Sequence, residues 1–83
     1  GEQAQIRINA PYDRRLELDI HDMSGRVVRR LYSGAGGPNI LYWNGKDDLA
    51  RPCKVGIYLL NLKTRDLAGA LTYKRALIVI GTP

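Results

Sequence analysis

His21 and Cys53 each occur once in the chain. A cysteine and an imidazole placed together make a nucleophile and its base. Here His21 falls on the polar side of an alternating segment, beside a turn, and no third residue is placed to orient it. The pair reads as a surface histidine and a small packed cysteine. Asp22, Asn44, Asp47 and Asp48 are a second candidate group, because oxygen ligands of this kind bind calcium. Calcium loops alternate their carboxylates and place a glycine after the third, whereas Lys46 sits among these. The expectation is that they accept hydrogen bonds from turn amides and hold no metal. Adjacent Asp47 and Asp48 point in different directions, and so short a chain has little room for a sugar-holding cleft, which argues against glycoside hydrolysis. The glycine-rich run Ser33–Asn39 lacks the Gly-Lys-Ser/Thr ending and the following helix of a phosphate cradle. No catalytic residue, cofactor or enzyme activity is expected.

The elements that would position these residues come from a chain of 83 residues, enough for one domain over 1–83 with a modest core. Phe is absent, and Trp43 is the largest apolar side chain among one Trp and five Tyr. Lys and Arg number 13 against 8 Asp and Glu, a formal charge of +5. The basic residues are scattered as pairs and singles without an aromatic-basic recognition signature. A solvated basic surface is expected and not a nucleic-acid site. No apolar run approaches the ~18 residues of a membrane span, and no charged-then-apolar leader opens the chain. Gly1-Glu2 reads as a cut end.

Along the chain, Ala4, Ile6 and Ile8 alternate with polar residues, as do Leu16, Leu18 and Ile20. That period of two marks half-buried strands. Asn9–Asp13 breaks the first, and Asp22-Met23-Ser24-Gly25 turns the second into Arg26–Tyr32. In that segment Val28 and Leu31 lie three apart, which favours a bulged strand over so short a helix. Ser33–Asn39 reads as a flexible loop. Ile40–Trp43 is a strand with Leu41 and Trp43 inward, leaving Ile40 and Tyr42 as a possible partner surface. Asn44-Gly45 turns it, and Lys46–Pro52 is a polar loop with a short edge segment. Gly56–Lys63 is a strand with Tyr58, Leu60 and Leu62 on one face. Tyr58, just after Gly56, is suited to a buried ring with its hydroxyl bonded to nearby backbone. Leu71–Ile80 closes the chain, its apolar end predicted to be buried on both sides or paired centrally. About seven short strands with regular turn signals predict an all-β antiparallel sandwich of immunoglobulin or fibronectin-III type.

Two blocks carry a family resemblance. Leu18–Leu31 (LDIHDMSGRVVRRL) resembles the V-Y-D-x-x-G-R-x-V-x-x-L hairpin of the immunoglobulin-like domain named after the flagellar hook-capping protein. Trp43–Tyr58 (WNGKDDLARPCKVGIY) is similar to its W-D-G-x-D-x-x-G-x-x-x-x-x-G-x-Y block. Tyr73–Ile80 matches the closing strand more loosely, so the likeness covers nearly the whole chain. The pattern makes Asp22, Gly25, Trp43, Asn44, Gly45, Asp47, Gly56 and Tyr58 its structural residues. Asn44 stands where Asp is usual, Cys53 where an aliphatic residue is usual, and Ala50 where a turn glycine is usual. Alanine tolerates positive φ poorly. The resemblance implies a non-catalytic module of an exported bacterial protein, extracellular or on the cell surface. Its partners would be neighbouring domains or other copies of the parent. The alternatives are a C-terminal sorting or anchoring domain read by secretion machinery, a hook-cap assembly domain, or a carbohydrate-binding accessory module.

Overall fold

The computed structural model describes residues 3–81. Gly1, Glu2, Thr82 and Pro83 lie outside them, and with them the reading of Gly1-Glu2 as a cut end. The fold is all-β, with four strands and no helix: β1 (Ala4–His21), β2 (Val27–Trp43), β3 (Gly56–Arg65) and β4 (Leu71–Ile80). They form one antiparallel sheet in the order β2-β1-β3-β4.

The expected seven strands become four because two pairs of them merge into long bent strands and the edge segment in Lys46–Pro52 forms only an isolated bridge, Lys46 to Pro52. The expected segments 3–8, from Ala4 on, and 16–21 are the two ends of β1, and 26–32, from Val27 on, and 40–43 the two ends of β2. A straight strand of β1's length would span roughly 55–60 Å, yet the longest dimension of the domain is 42 Å. The bend lies where Pro11–Arg14 stand opposite Gly36 alone, between the pairs Ala10↔Gly37 and Arg15↔Ala35. This corrects the reading of Ser33–Asn39 as a free loop: all seven residues belong to β2. A Cβ on Gly36 would lie 2.2 Å from the Pro11 carbonyl oxygen and 2.9 Å from that of Arg14. The glycine is there for close approach of two backbones and not for flexibility.

Two further irregularities fall in β2, where Leu31 and then Val28 are left without a partner on β1. These are the two residues whose spacing breaks the alternation, and each marks a bulge. Bending brings the far ends of β1 together. Its even-numbered residues Ile6, Ile8, Leu16, Leu18 and Ile20 share one concave face and one buried cluster with Val28, Trp43 and Tyr58. The outer half of the β1–β2 hairpin thus folds back over the four-stranded half.

β4 departs from the sequence-based expectation. It is an edge strand, paired only with β3, and most of its residues are exposed. Ile78 and Ile80 are half-buried against the core, while Leu77 and Val79 are 66% and 68% exposed. Continuous apolar sequence gives the same signal whether a strand is covered or merely coverable. Nothing in residues 3–81 lies outside β4.

Candidate interaction surface

Three of the chain's turns are built alike. Asp22-Met23-Ser24-Gly25-Arg26, Asp47-Asp48-Leu49-Ala50-Arg51 and Asp66-Leu67-Ala68-Gly69-Ala70 each open on an aspartate. One carboxylate oxygen of that aspartate accepts from the amides two and four residues on, at 2.9–3.0 Å. Its carbonyl accepts from the amide three residues on, and its own amide donates to the carbonyl four residues on. The fourth residue takes positive φ in all three: 92° at Gly25, 61° at Ala50 and 87° at Gly69. Ala50 therefore follows the glycine path despite its Cβ. An aspartate with a small residue three positions later, shared by all three, is the sequence signal of this turn.

These bonds account for the carboxylates. The Ser24 hydroxyl, followed by the Arg26 amide, holds Asp22 below the usual carboxylate range. Asp47 is held low first by the Arg51 amide, with the Leu49 amide and the Arg51 guanidinium adding to it. Arg51 Nε lies 3.0 Å from Asp47 Oδ2. Their oxygens serve the turns, and among the described residues no group of three or more His, Cys, Asp or Glu is placed to hold a metal ion.

The Trp43 block forms the rim beside the second turn. Trp43 is 2% exposed and meets Tyr58 edge-on, ring centroids 5.5 Å apart. Its indole Nε1 donates to the Lys46 carbonyl, and Asn44 Oδ1 accepts from the Lys46 amide. Gly45 takes φ 77°, and its carbonyl accepts from the Cys53 amide. The Tyr58 hydroxyl donates to the Lys54 carbonyl at 2.7 Å, two residues before Gly56. Burial raises the Tyr58 hydroxyl's pKa, with smaller contributions from Cys53 and Asp22. Burial also pushes the Cys53 thiol up, Asp47 adding to it, so the thiolate is disfavoured. His21 Nδ1 lies against the Gly25 carbonyl, and the structure records no hydrogen bond between His21 and Cys53.

The same rim covers the edge of β2. The Asp48 amide donates to the Val28 carbonyl at 2.9 Å, and Asp48 Oδ1 accepts from the Arg30 amide at 3.1 Å. The loop acts as a short borrowed strand, stitched by one backbone bond and one carboxylate. Ile40 and Tyr42, the partner surface expected from sequence, are exposed on the back of the folded-over hairpin, level with Arg7 and Gln5.

A larger apolar surface went unread in the sequence. On the outer face of the sheet Ile57 pairs with Val79 and Leu59 with Leu77; farther along the same face Arg75 stands opposite Asn61, and Tyr73 and Leu71 face Lys63 and Arg65. Ile57, Leu71, Tyr73, Leu77 and Val79 are all exposed. Lys63, Arg65 and Arg75 thus share this face with Tyr73 and Leu71, while Lys74, paired with Leu62, lies on the other. Of these, Lys63 meets Glu17 at 3.7 Å. No helix of the described residues is long and apolar enough to cross a membrane. The chain matches no protein-family model, no curated protein and no solved structure.

Proposed function

We propose that this chain is a non-catalytic interaction module of an exported or cell-surface bacterial protein, built on an immunoglobulin-like sandwich. Its work is to pack against a neighbouring domain of the parent protein or against other copies of it. The observation that carries this reading is the apolar end of the outer face of β3 and β4, where Ile57, Leu77 and Val79 are left bare while the concave face holds a closed core. Contiguous exposed apolar residues on a small domain mark a surface that meets another molecule. The two hook-capping-type blocks in the sequence and the folding of the hairpin over the rest of the sheet support the immunoglobulin-like assignment and, through it, the exported setting.

Hydrogen exchange on the full-length parent protein tests the reading. The β3 and β4 amides should exchange more slowly there than in the 83-residue chain alone, and Leu77→Lys with Val79→Lys should remove the difference. Equal exchange in both, with no self-association, would rule out an interaction module. Fusing residues 1–83 to a reporter separates a sorting tail, which redirects the reporter, from a module that only packs.

A further inference from the structure

Resting on the interaction-module reading, we propose that β4 accepts an extended acidic strand from a partner protein, added antiparallel to its free edge. β4 is bonded to β3 from Leu71 to Ile80 and to nothing on its other side among the described residues. Backbone donors and acceptors alternate between the two sides of a strand, so every second residue of β4 offers its pair outward. At the opposite edge of the four-stranded half, Asp48 covers β2 at Val28 and Arg30.

The side chains of β4 state what fits. Leu77–Ile80 is apolar on both faces of the strand, and Ala76 is small. Lys74 and Arg75 follow on opposite faces, neither in an ion pair among the described residues, and β4 contains no carboxylate. The complementary strand carries an apolar run opposite Ile80–Leu77, then two adjacent carboxylates opposite Arg75 and Lys74, one for each face. Antiparallel addition continues the pattern of the whole sheet and sets that order in the partner's sequence. A second copy of this chain offers a poorer match. Its β4 brings another Lys74 and Arg75 to the joint and no acid to answer them.

The test is selection from a display library of short random segments on the 83-residue chain. Selected segments should carry an apolar run followed by adjacent Asp or Glu. Their binding should weaken about tenfold or more in the Lys74→Glu/Arg75→Glu variant and fall with added salt. That variant should itself select Lys and Arg. Both positions are exposed, so it should fold as the parent chain does. Bound segments should slow exchange at alternate β4 amides, which distinguishes strand addition from docking on a face. Segments without acidic bias, or binding the variant equally well, would mean that Lys74 and Arg75 only keep the edge soluble, and the proposal falls. Slowed exchange without alternation overturns strand addition but leaves the module reading intact. So does a concentration-dependent dimer joined through β4, which would make a second copy the occupant. The module reading fails separately, if the full-length protein shows no protection of β3 and β4.

Discussion

The four-stranded half of the sheet ends on one side at β2 and on the other at β4, and the two sides are treated in opposite ways. At β2 the chain spends a whole loop on closure. Trp43 anchors the loop in the core, Asp47 shapes it, and Asp48 lays an amide and a carboxylate against Val28 and Arg30. Among the described residues nothing covers β4, although that strand has the more apolar sequence. Open apolar edges are hazards that natural sheets suppress with loops, charges and prolines. A domain that closes one edge by such means has the means to close the other. Under the proposal above, the bare edge is where a partner strand adds.

The largest way to break this contrast is to remove the anchor. Trp43→Ala should cost roughly 3–5 kcal/mol, the usual loss for truncating a buried tryptophan, and the Tyr58 edge contact goes with it. Against the ~5–15 kcal/mol of a small domain, much of the population would unfold. Urea denaturation should show a much lower midpoint, and both sheet edges would then be open to aggregation. Asp47→Ala is gentler. It removes the carboxylate oxygen that accepts from the Leu49 and Arg51 amides, and the Arg51 pair, from an exposed turn while leaving the core filled. The specific readout is faster exchange at Arg30, whose amide Asp48 caps, with β4 amides unchanged.

Acid probes the same turns without mutation. Asp22 and Asp47 are held below their ordinary value in the folded chain. The unfolded chain, with carboxyls near 3.9, therefore takes up protons first as pH falls. Their stabilisation is complete above that value and is lost as pH drops through it to the lowered folded values. A thermal melting series should fall off below about pH 4, and less steeply in a chain with both residues changed to Asn.

How far the sequence tells these two edges apart follows from what each signal reports. Alternation in Leu16, Leu18 and Ile20 names a buried face because those side chains face a single layer, and all three are fully buried. The three-residue step from Val28 to Leu31 shows because a bulge shifts the period of its own strand. The number of strands is hidden, since a bent strand carries the same break in pattern as two strands joined by a loop. Gly36 illustrates the ambiguity: close backbone contact and flexibility both select glycine. Whether β4 is central or bare is not written in β4 at all. That depends on what other segments do, and Ala76–Ile80 would read the same in either place. The Asp48 cover is equally non-local, because it joins residues 18 positions apart.

A smaller effect of opposite sign comes from Ala50. A left-handed conformation costs an L-residue roughly 1–2 kcal/mol, and glycine recovers that less its own entropy cost. Ala50→Gly should stabilise the domain by about 0.5–1 kcal/mol, tightening the turn that presents Asp48 to β2. Chemical denaturation should show a higher midpoint with an unchanged slope. The same change at Ala68, which does not take positive φ, should bring no such gain.

The smallest expected effect on stability is at β4, and it sharpens the contrast most. Leu18 and Leu77 are the same residue, 1% and 66% exposed. Leu18→Lys would bury a charge without a partner and should unfold the domain. Leu77→Lys leaves the ammonium in water and should change stability by no more than about 0.5 kcal/mol. If the β4 surface served only the fold, that would be its whole consequence. A surface kept for a partner instead predicts dissociation of the charge effect from stability: an unchanged denaturation midpoint together with lost protection of β3 and β4 in the full-length protein. A substantial fall in the midpoint would show that Leu77 already belongs to the core, and the bare edge would then be bare in name only.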